Sequence, residues 1–262
     1  MLLKTKTIEQ CKLKALDGEF GKVSDFYFDD QHWTIRYLVA DTGGWITGKQ
    51  VLISPYALGE AFKKEHLIGV NLTRKQIEDS PSLDSDKPVS RQFEADYSHY
   101  YGWPNYWAGS GIWGIYPTVM SDPGPWVEPD PTLEEARDTH LRSTKEVSRY
   151  HLHATDGEIG HVDDFIVDDE TWAIRYLVVS THNWWPGKKV LVSPKWIERV
   201  SWEEAEVFVN LTREAIKAAP EYTEESFVER DYEVTLYGHY ERNGYWLDEI
   251  ETSEGSIPEK TN

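Results

Sequence analysis

The chain is written twice. The string D-G-E-F-G-K-V-S-D-F at Asp17 to Phe26 returns as D-G-E-I-G-H-V-D-D-F at Asp156 to Phe165, and the offset of 139 residues then holds without a gap to Pro81 and Pro220. Between Asp17 and Pro55, 23 of 39 positions are identical to those between Asp156 and Pro194. The repeat constrains the fold more than any single motif, because both copies must adopt one architecture. It also acts as an internal control. A residue kept in both copies belongs to the fold, whereas chemistry done once needs its residues only once.

With 262 residues, length favours two domains, each long enough to bury a core and to fold without the other. We place the first over residues 1–101, an aromatic Gly/Pro-rich linker over 102–131, and the second over 132–262. In the second copy, Trp172 to Val179 is an apolar run too short for a helix and rich in β-branched and aromatic residues, which predicts a buried strand; Trp33 to Ala40 is its twin. His161 to Val167 precedes it, and Asp168 with Asp169 supply turn chemistry between the two. Further strands are expected at Gln50 to Ser54 and its twin, around Trp196 to Val200, and at Glu206 to Leu211. Each copy therefore reads as a small antiparallel barrel or sandwich of about six short strands. Thr73 and Thr212 stand as helix N-caps, with Pro81 and Pro220 as stops. A second helix follows each, with Phe93, Tyr97 and Tyr101, and Val228, Tyr232, Leu236 and Tyr240, forming a stripe that latches onto its own barrel.

The net charge of −19 is unequally divided. Residues 1–127 carry 13 Lys and Arg against 16 Asp and Glu, a net of −3; residues 128–262 carry 14 against 30, a net of −16. Such a field opposes binding to nucleic acid and to anionic lipid, and it fits a protein partner with a basic surface. Assembly with further copies of itself is left open. No run approaches the length of a membrane span and no signal peptide is evident, so a cytoplasmic location is expected.

Candidate chemistry is tested by the repeat. His151, His153 and His161 align with Lys12, Lys14 and Lys22, so the fold accepts a cation without a lone pair at each, and no metal or other cofactor is expected. The lone Cys11 aligns with Tyr150 and reads as a structural thiol. Asp25, Asp29 and Asp30 and their twins lack EF-hand spacing and read as turn residues. Arg36 and Arg175 lie inside apolar strands and need partners, for which the Asp-rich hairpin is the nearest source. Gly18, Gly21, Gly157 and Gly160 serve positive φ or close strand approach. No phosphate loop or nucleophile elbow is present, and no catalytic residue is assigned.

The strings D-G-E-x-G-x-V-x-D-F, D-D-x-x-W-x-I-R-Y-L-V, W-x-x-G-K-x-V-L-x-S-P and N-L-T-R together resemble the PRC-barrel family, first defined on the cytoplasmic domain of the photosynthetic reaction-centre H subunit. The resemblance spans about residues 8 to 81 and 145 to 220. It implies two tandem small antiparallel β-barrels, each followed by short helices, used as adaptors rather than enzymes. In the H subunit such a barrel caps an electron-transfer complex, and in a ribosome maturation factor it binds a ribosomal protein. The H subunit's transmembrane helix is missing here, and this chain has a second such copy where the ribosome factor has a different N-terminal barrel.

Two functional expectations follow. The first is a non-catalytic adaptor or scaffold that mediates protein–protein interaction and regulates a larger assembly, electron-transfer or stress-related. Its contact surface is expected at Trp103, Tyr106, Trp107, Trp113 and Tyr116 of the linker, with Trp45 and Trp184, because exposed rings seek an apolar cover. Packing of these rings on the chain itself is the alternative for the linker. The second is a small-molecule binder or enzyme using a groove between the barrels, with Trp45 and Trp184 or the linker rings stacking on a flat ligand.

Overall fold

The structure, a computed structural model, describes residues 1–9, 11–45, 49–59, 66–81, 83, 89–109, 111–120, 140–181, 188–223 and 228–247. In the first copy β1 (Leu2–Lys4) and one helical turn, α1 (Thr5–Ile8), precede a meander of β2 (Lys12–Ala15), β3 (Gly18–Asp29), β4 (Thr34–Asp41) and β5 (Gln50–Ile53). Then come β6 (Leu67–Gly69), α2 (Arg74–Glu78) and α3 (Arg91–Tyr101). The second copy repeats this with β7 (Leu141–Ser143), α4 (Thr144–Val147), β8 (His151–Ala154), β9 (Gly157–Asp168), β10 (Ile174–Ser180) and β11 (Lys189–Val192). β12 (Ile197–Ser201), β13 (Glu206–Val209), α5 (Arg213–Ala218) and α6 (Arg230–His239) complete it.

The result is mainly β, with two mixed sheets. One has the order β5-β4-β3-β2-β6 with β7 beside β3, the other β11-β10-β9-β8-β13-β12 with β1 beside β9. Two features depart from the expected antiparallel barrels. The pairs β2 with β6 and β8 with β13 are parallel, and among the described residues neither sheet closes on itself. The cause is the return path. After the meander the chain crosses back to the free edge of the first strand and joins it in the same direction, which a connection of that length permits.

Several positions identical in both copies have a visible duty. Asp17 and Asp156 accept the first N–H of the short helices, from Arg74 at 2.7 Å and Arg213 at 2.8 Å. Lys49 donates to the carbonyls of Glu78 and Ser80 at the far end of α2, and Lys188 to those of Lys217 and Ala219 after α5, placing a cation where the helix dipole is negative. Thr73 and Thr212 cap these helices as expected. A Cβ at Gly160 (φ +155°) would collide with the Ser180 carbonyl, and one at Gly21 with that of Asp41, so both glycines mark close strand approach. Strands β4 and β10 are buried almost throughout. The aromatic stripe latches as expected: Tyr97 is fully buried, donates its hydroxyl to the Leu52 carbonyl, and lies 5.9 Å edge-on from Tyr37.

The two copies are joined rather than structurally separate. The copies exchange their N-terminal arms: β1 pairs with β9 of the second copy, and its twin β7 pairs with β3 of the first. The Asp of each V-x-D-F string anchors the visiting arm. Asp164 Oδ1 accepts from Thr5 Oγ1 at 2.6 Å, while Asp25 accepts from Ser143 Oγ at 2.6 Å and Thr144 Oγ1 at 3.1 Å. The hairpin ends meet at a local two-fold, where Ile35 N donates to the Trp172 carbonyl at 2.8 Å and Ile174 N to the Trp33 carbonyl at 2.7 Å. Trp33 and Trp172, expected to open strands β4 and β10, instead have φ of +49° and +59°. This strained turn places each carbonyl where the opposite copy can use it. The molecule is therefore a pseudo-dimer within one chain.

Candidate functional site

Arg36 and Arg175 find the partners expected of them. Arg36 Nε donates to Asp29 Oδ2 at 2.7 Å, and Arg175 Nη2 to Asp168 Oδ2 at 2.8 Å. Burial would raise both carboxyls, but hydrogen bonds from His32 and the Arg36 charge hold Asp29 well below the ordinary range, and Arg175 lowers Asp168. Each guanidinium is also covered by an aromatic ring, Tyr106 at 3.9 Å over Arg36 and Tyr245 at 4.0 Å over Arg175.

Those rings lead to a buried carboxylate that sequence reasoning missed. Glu94 on α3 is fully buried and accepts from the Tyr106 hydroxyl at 2.6 Å; His140 Nε2 lies 3.1 Å away and Arg91 Nη1 3.4 Å away. Glu233 on α6 is its twin, accepting from Tyr176 at 2.7 Å and Tyr245 at 2.9 Å and paired with Arg230 at 3.1 Å. Burial and then the Glu94 charge push the Tyr106 and Tyr37 hydroxyls well above the usual phenol range. The signal was present in the sequence. The 139-residue offset continues past Pro81 and Pro220, aligning Arg91, Glu94, Tyr106 and Trp107 with Arg230, Glu233, Tyr245 and Trp246.

The linker rings proposed as a surface divide by place. Trp103, Tyr106 and Trp113 are buried in the chain itself, Trp113 at 1% exposure, which removes them from any free docking face. Trp103 stacks on Tyr101 at 4.3 Å. Trp107 is half-buried under Arg91 at 4.4 Å, Tyr116 is half-buried, and Trp45 packs beneath Arg74 at 4.3 Å and against Phe20. Trp184 lies outside the described residues. His151 and His153 pair with Glu158 and Glu206, at 2.9 and 3.3 Å. Cys11 is half-buried and burial pushes its thiol up.

Between the copies lies an open cleft of about 840 Å³. Its walls are the hairpin Asp30 to Trp33, the segment Ala173 to Arg175, the stretch Ser193 to Lys195, strand β12 with Trp202 beyond it, and Tyr245, with Ile112 at one end. Arg142 Nε donates to Asp30 Oδ2 at 2.9 Å and lies 4.2 Å over Trp202, bracing the two walls. Neither Trp45 nor the buried linker rings line it.

By the local two-fold this cleft has a twin in the first copy, and the twin is filled by Trp113. Trp113 lies 4.8 Å from Arg36, 5.1 Å edge-on from Tyr56 and 6.4 Å from Tyr106, and its indole N–H donates to the Thr171 carbonyl at 2.7 Å. The repeat equivalents of those four residues are Arg175, Lys195, Tyr245 and His32, and all four line the open cleft. Arg36 Nη1 also donates to the Ile112 carbonyl at 2.5 Å. Among the described residues, one duplicated site is thus filled by the chain's own linker and the other by no equivalent ring.

No family model matches the chain, and no curated protein matches it. No helix among the described residues is long and apolar enough to cross a membrane.

Proposed function

We propose that this protein is a non-catalytic adaptor, a tandem of PRC-barrel-like units that holds a protein partner through the cleft between its copies. The observation that carries the reading is the asymmetry of the duplicated site among the described residues: of two equivalent clefts, Trp113 fills one and no described ring fills the other. Asp29 pairs with Arg36 and Asp168 with Arg175, and Glu94 and Glu233 accept from neighbouring tyrosines, so these charged groups are engaged inside the fold. The repeated strings that resemble the PRC-barrel family point the same way, since that resemblance implies an adaptor. The exchanged arms fix the cleft walls relative to each other, so a partner meets a preformed surface.

A photo-crosslinking residue placed at Glu198, exposed on the cleft wall, tests this in cells that carry the chain natively, with exposed Val234 on α6 as the control. Selective cross-links to a protein from position 198 support the adaptor reading. Equal or absent cross-linking from the two positions contradicts it. A small-ligand reading draws on the cleft volume, which falls within the range of small-molecule pockets. It predicts cross-links to no protein and a rise in melting temperature with a metabolite fraction.

A further inference from the structure

We propose that the arm Leu2 to Ile8 is a releasable strap whose hold on the second copy is set by protons: the carboxylates gathered at its root, Glu9 with Asp164 and Asp25, fasten it in mild acid and loosen it as they ionise. The repeat supplies the comparison, because the second arm makes the same crossing with different chemistry. There β7 enters with Leu141 buried, and Arg142 Nε donates to Asp30 Oδ2 at 2.9 Å. The hydroxyls of Ser143 and Thr144 and the Lys145 N–H divide between both oxygens of Asp25. The first arm is held differently. All of β1 is half-buried, and Lys4 stands where the second arm has Ser143. The donors that reach Asp164, from Thr5 Oγ1 at 2.6 Å, Phe165 N at 2.8 Å and Lys6 N at 3.3 Å, all converge on Oδ1.

The root of the strap also carries a charge that its twin lacks. Glu9 directly follows α1, and the matching position after α4 is Ser148. The charged groups that face it are Lys6 on α1, Asp25 on β3, Lys145 on α4 and Asp164 on β9. Lys6 is already paired with Asp163 at 2.8 Å, and Lys145 is exposed. Around Glu9, three carboxylates thus share two cations, one of them committed elsewhere.

The sign of the effect follows from burial. Burial pushes the Glu9 carboxyl up, with Asp25 and Asp164 adding to it against the two lysines, and burial pushes Asp164 up against its hydrogen bonds. Departure of the arm would return both groups to water, so each holds its proton more tightly while the arm is docked. The resulting hold is complete below about pH 4, where free carboxyls titrate, and is lost as pH rises through the raised values.

Hydrogen exchange on the full chain, corrected for the chemical rate at each pH, tests the strap through the amides of β1, with those of β7 as the internal control. Protection of β1 should fall about fivefold between about pH 4.5 and about pH 7, the scale of a partly solvated charge contact, while that of β7 changes less than about twofold. Glu9→Gln keeps the shape and removes the charge. It should raise the protection of β1 at neutral pH and flatten most of the fall, and Glu9→Ser, which imports the twin's residue, should do the same. The lone thiol gives an independent reading, because Cys11 lies just beyond the strap, half-buried, with its Sγ 3.7 Å from the Thr7 carbonyl. At neutral pH it should react with a thiol reagent more slowly in Glu9→Gln than in the unaltered chain. Protection of β1 that ignores pH, a fall shared equally by β1 and β7, or a fall that persists unchanged in both Glu9 variants would overturn the proposal, as would faster labelling of Cys11 in Glu9→Gln.

Discussion

Replacing Glu94 by alanine should unfasten the linker from the first copy. Glu94 is fully buried, and the Tyr106 hydroxyl (2.6 Å) and His140 Nε2 (3.1 Å) that face it are themselves buried. A hydrogen bond to a charged group contributes about 1.5–3 kcal/mol. Counting these two and discounting the longer Arg91 contact gives about 3–6 kcal/mol, which overlaps the cost of about 3–5 kcal/mol for breaking one side of a buried ion pair. In a protein of this size that corresponds to a fall of about 10 °C in melting temperature. Guanidinium unfolding followed by far-ultraviolet circular dichroism measures it. A double-mutant cycle with Tyr106→Phe isolates the shared bond, with an expected coupling of about 1–2 kcal/mol. Because Tyr106 leads directly into the segment that carries Trp113, the variant should also speed hydrogen exchange over residues 111–116. A loss below about 1 kcal/mol, or strict additivity with Tyr106→Phe, would refute the assignment of Glu94 as the linker's anchor.

Acid should act through Asp29 and Asp168. Both folded pKa values are depressed, so their stabilisation is fully present above the unfolded value of about 3.9 and is lost as pH falls through the folded values. The urea midpoint should therefore drop steeply below about pH 4, and Asp29→Asn should lower the neutral midpoint while flattening that drop. Gly160→Ala forces a Cβ onto the Ser180 carbonyl at positive φ. A loss of about 2 kcal/mol or more is expected, against at most a few tenths for an alanine at exposed Gly43 corrected for its own positive φ.

The succession of most strands along each copy was legible because hydrophobic runs, Gly and Pro punctuate it twice. The capping threonines, the Asp29 and Asp168 ion pairs and the aromatic latch were legible for the same reason: each is local, or rests on one unavoidable charge in an apolar strand. Three things were not. Arm exchange leaves no local trace, since three residues such as Leu2 to Lys4 have the same sequence whichever sheet receives them. The parallel return of β6 and β13 depends on which edge is free after the meander. The asymmetry of the clefts arises from Trp113, which has no counterpart to compare it with, and burial cannot be read from a ring's presence in a linker. Glu94 and Glu233 were within reach of the sequence, because the 139-residue offset continues past Pro81 and Pro220.

The account rests on the two copies being one pseudo-symmetric unit joined by exchanged arms, and hydrogen exchange on a chain lacking residues 1–8 tests that most directly. If β1 belongs to the second sheet, amides across Asp164 to Asp168 and at Trp172 and Ile174 should lose protection, although they lie far away in sequence, while β2 and the core of β4 keep theirs. Loss confined to residues 9–45, with the second copy unchanged, would contradict the exchange and with it the placement of the cleft.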